Sequence, residues 1–131
     1  MVKSVLIADD SAFVRQRVVA LFDREPDFEV CATAENGRQA IEEAQVLQPD
    51  LIVLDISMPE MNGFDAARAL KRLMPDVPIV MFSAYRDSFT EKEARSAGVS
   101  VLVSKFEDMS ALMGVARDLL YPTRLDPLSA A

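Results

Sequence analysis

The stretch Leu51-Ile52-Val53-Leu54-Asp55-Ile56-Ser57-Met58-Pro59-Glu60-Met61-Asn62-Gly63 decides how the rest of the chain is read. Leu51 to Leu54 is an unbroken apolar run with β-branched members. It is too short for a helix, and such a run bounded by turn signals reads as a strand buried on both faces. Asp55 follows directly, and Pro59 with Asn62-Gly63 predicts a loop before the next helical periodicity begins. In an open parallel sheet ligands bind at the carboxyl ends of the strands, so a carboxylate placed there is presented to a site. A lone aspartate in such a place is ordinarily a helix cap or turn former. The rest of the chain decides whether Asp55 is more than that.

Before it, Ser4 to Ala8 is a short strand that stops at Asp9-Asp10-Ser11. Ala12 to Phe22 changes period, with Val14, Val18, Leu21 and Phe22 on one helical face, Arg15 and Arg17 on the other, and Asp10 or Ser11 as N-cap. Phe28 to Thr33 reads as a second strand. Gln39 to Leu47 is a helix presenting Ala40, Ile41, Ala44 and Leu47, and it stops before Pro49. After the quoted stretch, Phe64 to Leu73 carries Phe64, Ala67, Leu70 and Leu73 at helical spacing. Ile79 to Phe82 is a strand that stops at Ser83-Ala84, and Ser88 to Ala97 is a charge-rich helix stopped by Gly98. Val101 to Val103 is a fifth strand, with Lys105 two residues past its end. Met109 to Tyr121 is a last helix that buries Leu112, Met113, Ala116, Leu119 and Leu120. Strands alternating with helices predict an α/β fold with a parallel sheet covered on both faces, because parallel strands need right-handed crossovers. Five strands and five helices fit the doubly wound, flavodoxin-like order 2-1-3-4-5. Residues 1–121 then form one domain, and 122–131 a tail or the start of a linker.

Half of the 131 residues are hydrophobic, enough for a real core, and the formal net charge of -7 argues against direct contact with nucleic acid. Cys31 is the only cysteine, so an internal disulfide is excluded, which suits a reducing cytoplasm. No apolar run approaches the length of a signal-peptide core or a membrane span.

The strand order has a chemical consequence. It makes the first and third strands neighbours, so Asp9, Asp10 and Asp55 converge, with Ser83 and Lys105 on the adjoining strand ends. Carboxylates about 4 Å apart repel by roughly 4 kcal/mol per pair at an effective dielectric of about 20, so something positive must sit among them. Oxygen ligands without any histidine point to a hard cation, magnesium first and manganese as an alternative. Lys105 supplies a point charge and Ser83 a hydroxyl, both suited to an anionic phosphoryl group arriving at Asp55. Taken singly each residue is an ordinary cap, loop hydroxyl or surface charge; their placement on four different strand ends is what argues for a site.

As a set these residues resemble the receiver domain of bacterial two-component response regulators, from about Lys3 to Leu120. Asp9-Asp10 matches the family's acidic pair, Asp55 its phosphorylated aspartate, Met58-Pro59 with Asn62-Gly63 the following loop, Ser83-Ala84 the hydroxyl and small residue, and Lys105 its lysine. The resemblance implies that Asp55 takes a phosphoryl group from the phosphohistidine of a sensor histidine kinase or phosphotransfer protein, or from acetyl phosphate. It also implies magnesium held by Asp10, Asp55 and the backbone carbonyl of Ser57, with Asp9 helping through water. The surface of Ser88 to Gly98, Val101 to Val103 and Met109 to Tyr121 would then change, to control an output domain or partner or to form a phosphorylation-linked homodimer. Ile56 to Pro59 and Phe64-Asp65 resemble receivers joined to helix-turn-helix output domains, that is, transcription regulation. Two residues depart from the pattern: Phe106 replaces the usual proline, and Leu102 an aromatic that elsewhere swings inward. A different reading is a magnesium-dependent phosphatase with an aspartyl nucleophile, but such enzymes carry a second Asp where this chain has Ser57. A flavodoxin-like nucleotide binder is opposed by Asp9-Asp10, which repels phosphate.

Overall fold

The computed structural model of the chain describes residues 2–121; the expected tail, 122–131, lies outside them. The elements in order are β1 (Lys3–Ala8), α1 (Ala12–Asp23), β2 (Phe28–Ala34), α2 (Gly37–Leu47), β3 (Leu51–Leu54), α3 (Gly63–Leu73), β4 (Ile79–Ser83), α4 (Ser88–Ser96), β5 (Val101–Ser104) and α5 (Met109–Leu120). The sheet is parallel throughout in the order β2-β1-β3-β4-β5, so the expected doubly wound α/β architecture is the one the chain adopts. Most elements run one or two residues beyond an expected end, α4 and α5 stop one residue short of theirs, and β3 has the bounds read from its sequence.

Because side chains alternate along a strand, the central strands divide two cores between them. Leu6, Ala8, Ile52 and Leu54 face α2 and α3, where Ala40, Ala44, Ala66, Ala67 and Leu70 pack. Val5, Ile7, Leu51 and Val53 face the other layer, filled by Val18 and Phe22 of α1 and by Leu112 and Ala116 of α5. Both faces of β1 and β3 are therefore dry, which is why those strands read as continuous apolar runs.

Five side chains cap the helices: Ser11, Asn36, Asn62, Asp87 and Asp108 accept from the backbone N–H groups of Val14, Gln39, Asp65, Thr90 and Ser110. Each such cap is worth about 1 kcal/mol. The Asn36 cap starts α2 at Gly37, before the expected Gln39. At the end of α4, Gly98 has φ 89°, its N–H bonds to the Arg95 carbonyl (3.1 Å) and the Val99 N–H to that of Ala94 (3.0 Å). These two bonds close the helix as a Schellman motif. Arg117 of α5 forks onto Asp27 (2.6 and 3.0 Å) and also pairs with Glu25 (3.1 Å), tying the last helix to the α1–β2 turn.

Two expected core residues are corrected. Leu47 and Leu73 are exposed, 42% and 49%. Each sits in the final turn of its helix, where the chain bends inward: Gln48 takes a left-handed φ of 50° and the next residue, Pro49, is buried, while Met74 fills the place expected of Leu73. The loop after β3 is corrected too. Its left-handed residue is Glu60, with φ 65°, whereas Asn62 caps α3 and Gly63 is the first helical residue.

Candidate functional site

The ladder bonds of the sheet continue one residue past the strands and so fix where the site begins. The Asp9 N–H bonds to the Ala34 carbonyl (3.0 Å), that of Asp55 to the Ala8 carbonyl (2.9 Å), and that of Lys105 to the Ser83 carbonyl (2.7 Å). Asp9, Asp55 and Lys105 thereby start from one rim of the sheet at adjacent strand ends. Carboxylate oxygens of Asp9, Asp10 and Asp55 lie within 4.8 Å of one another. The three acids expected to converge do so.

Lys105, expected from sequence as a partner for an arriving phosphoryl group, stands among the acids themselves. Its Nζ stands 2.8 Å from Asp9 Oδ2 and 3.1 Å from Asp55 Oδ1. Burial pulls its pKa down, but the hydrogen bond to Asp9 and the charge of Asp55 outweigh that and hold it above the usual lysine value. The ammonium is therefore charged at neutral pH, and its stabilising pairing is lost only above the ordinary lysine pKa.

Each acid has a distinct environment. Asp9 is buried, and both its carboxylate oxygens are engaged: Oδ1 accepts the Ser11 N–H (2.9 Å) and Oδ2 meets Lys105. Asp10 is exposed. Asp55 is buried; its Oδ1 takes both the Ile56 N–H (2.8 Å) and Lys105, so Oδ2 is the less engaged oxygen. Burial, and then the charge of Asp9, raise the Asp55 pKa to about 6 against the opposing pull of Lys105.

That shift has a sign that can be measured. An acid whose pKa is raised on folding favours the fold while protonated, and this contribution disappears as pH climbs from about 4 through about 6. In EDTA, Asp55→Asn, which mimics the neutral acid, is expected to match wild type near pH 4 and to exceed it by roughly 2 kcal/mol above pH 7. Urea denaturation of both proteins across that range checks this; a constant difference between them would contradict the assigned burden on Asp55.

The remaining residues of the predicted site are near but differently engaged. Ser83, the last residue of β4, is fully buried, and its Oγ accepts the Tyr85 N–H (2.9 Å) in a local turn. Ser57 is exposed and lines one open cleft with Asp10, Ile56, Met58 and Asn62. Phe106 is exposed, its N–H bonds to Ser104 Oγ (3.1 Å), and among the described residues every peptide bond is trans. Leu102 is half-buried.

Three contributors were not legible from sequence. Helical phase puts Arg15 on the outer face of its helix, yet only 16% of its side chain is exposed and Nη1 donates to the Asp9 carbonyl at 2.8 Å. Gly63 permits the close passage of α3 under Asp55: a Cβ there would stand 2.1 Å from the Asp55 carbonyl oxygen. Arg86 bridges Glu91 of α4 and Glu107 of the β5–α5 loop. Each depends on a contact across the chain, and no local pattern encodes it.

The donor set fits a hard divalent cation. All the donors are oxygen, Asp10 offers an exposed carboxylate, Asp55 a less engaged oxygen, and the saturated Asp9 is left to act indirectly.

The response regulator receiver domain family matches residues 5–117. The protein-glutamate methylesterase/protein-glutamine glutaminase of Alkalilimnicola ehrlichii is 43% identical over 111 residues, which are 82% of this chain and 28% of that protein. The protein of the same name from a Nocardioides species is 39% identical over 123 residues, 90% of this chain and 34% of that one. The chain thus spans about a third or less of these relatives. Among solved structures, the response regulator domain of Thermotoga maritima CheB superposes with TM-score 0.82 at 27% identity, covering 97% of this chain and all of that one. A LuxR-family two-component response regulator from Aurantimonas gives 0.88 at 26%, covering 99% and 94%. With its sheet order, its convergent acids beside a lysine and a family match over nearly its whole described length, the chain belongs to the response regulator receiver domains.

Proposed function

We propose that Asp55 is the phosphate acceptor of this phosphorylation-dependent signalling domain. The observation that carries this reading is a buried carboxylate at the end of β3, its pKa raised, with the Lys105 ammonium at 3.1 Å and two further acids within metal-sharing distance. In the reaction an Asp55 oxygen attacks the phosphorus of a kinase or phosphotransfer-protein phosphohistidine, or of acetyl phosphate. The new O–P bond forms as the P–N or P–O bond to the donor breaks, and the imidazole or acetate departs with the bonding pair. Asp10, Asp55 and the Ser57 carbonyl would hold magnesium, or manganese, which offsets charge on the transferring phosphoryl oxygens. Lys105 leaves Asp55 for the new anion and Ser83 donates its hydroxyl to it. Ser57 stands where an aspartyl phosphatase needs a general acid, and no residue of the described site replaces it.

Ser83 and Lys105 are joined through the backbone, and Arg86 ties the loop after Ser83 to the one after Lys105. Drawing both side chains toward a phosphoryl group therefore shifts α4, β5 and α5 together. That face, with exposed Phe89 and Tyr85, is the proposed output or dimer surface. Exposed Phe13 lines a cleft with Arg17 and Lys105, a suitable landing place for the phosphodonor protein. The relatives near 40% identity support a methylesterase as the output, whereas a DNA-binding output rests on the resemblance of Ile56 to Pro59 and Phe64-Asp65 alone. Since among the described residues no helix is long and apolar enough to cross a membrane, and the net charge is -7, we assign the domain to the cytoplasm, with no nucleic-acid contact of its own. Hydrogen exchange with and without beryllofluoride and magnesium tests the switch. Changes are expected in 84–98, Val101–Ser104 and Met109–Leu120; changes confined to Gly37–Leu47 would overturn it.

A further inference from the structure

We propose that Arg15 is the positioning residue of the acidic pair, and that magnesium affinity at Asp10 depends on it. The inference rests on the metal reading above. Every polar group of Asp9 is committed: its N–H to the Ala34 carbonyl, Oδ1 to the Ser11 N–H, Oδ2 to Lys105, and its carbonyl to Arg15 Nη1 at 2.8 Å. Of these four bonds the last is the one made to the carbonyl of the peptide unit that leads into Asp10. It fixes the plane of that peptide, and with it the direction from which the exposed Asp10 carboxylate leaves the backbone.

The arginine is itself held. Nη2 reaches Glu35 Oε1 at 3.5 Å across the β2–α2 junction, and the Glu35 N–H is accepted by Gln39 Oε1 at 2.8 Å. The guanidinium thus bridges the loops after β1 and β2 with a planar fork that a lysine does not reproduce. Residues that orient a metal ligand without touching the metal commonly control affinity by tenfold or more. A rival effect has the opposite sign, because a positive charge near the site repels a cation. Glu35 offsets part of that charge, so the loss of geometry is expected to outweigh the relief of repulsion.

The test is the magnesium dissociation constant obtained from melting temperatures titrated upward from EDTA, for wild type, Arg15→Met, Arg15→Lys and Glu35→Gln. A role in packing alone lowers the melting temperature in EDTA and leaves the dissociation constant unchanged, so the two roles separate. Arg15→Met is expected to bind magnesium at least about tenfold more weakly, Arg15→Lys to fall between it and wild type, and Glu35→Gln to stay within about twofold of wild type. Arg15→Met binding as tightly as wild type, or more tightly, overturns the inference alone. A wild type indifferent to magnesium overturns the metal reading and this inference with it. Should Arg15→Met fail to fold, Arg15→Lys decides: weaker binding by a few-fold supports the role, and unchanged binding overturns it.

Discussion

Lys105→Met is expected to lose about 3 kcal/mol of stability in EDTA at pH 7, yet to gain more from magnesium than wild type does. The ammonium stands between two buried carboxylates, and removing one member of a buried ionic cluster leaves the others uncompensated, a change that typically costs about 3 to 5 kcal/mol. The lower end applies because Asp55, whose pKa is already about 6, escapes by taking a proton once the lysine is gone. A loss of this size lowers the melting temperature of a domain of this length by about 10 °C. Magnesium then meets an acidic site with no resident cation, so its stabilising increment grows. Melting curves of both proteins in EDTA and in millimolar magnesium check this. Equal increments would show that Lys105 is a bystander to the acidic cluster.

Gly63→Ala is expected to be worse still, although it adds a single methyl group. The new Cβ would lie 2.1 Å from the Asp55 carbonyl oxygen and 2.9 Å from its carbon, both backbone atoms of the strand end that presents the proposed acceptor. The Gly63 N–H also bonds to the Ile56 carbonyl at 2.7 Å, so the helix start is pinned where the clash occurs. Relief requires moving either α3 or Asp55. We expect a loss of about 3 kcal/mol or more, and phosphorylation slowed by at least about tenfold through displacement of Asp55. Gly114→Ala in the exposed face of α5 is the control: nothing lies within 4 Å of its would-be Cβ, and a helix-interior alanine there should stabilise by about 0.5 to 1 kcal/mol. Thermal unfolding of the two variants checks the contrast. Similar effects from both would contradict the close-approach role of Gly63.

These cases show which parts of the molecule are legible in one dimension. β3 announces itself because a strand dry on both faces must be apolar at every position, and its ending at Asp55 places the acid at the strand's carboxyl end. The alternation of strands and helices then admits few topologies, and the order found puts the acids and Lys105 together. The glycine of Asn62-Gly63 could not be read correctly in the same way. The sequence pattern is a turn signal, whereas the constraint is steric and comes from a backbone eight residues away. Leu47 and Leu73 have the right helical phase and fail only because the chain bends under them. Arg15 is the converse: its helical phase points outward, but its long side chain curls back to a carbonyl six residues earlier. The sequence marks Lys105 as a partner for a phosphoryl group, and its position between Asp9 and Asp55 follows from the mutual repulsion of those acids, which a nearby cation relieves.

The most direct measurement is intact mass after incubation with acetyl phosphate and magnesium. Wild type is expected to gain one phosphoryl group, in a reaction abolished by EDTA, and Asp55→Asn none. Undiminished labelling of Asp55→Asn would contradict the assignment of Asp55 as the acceptor.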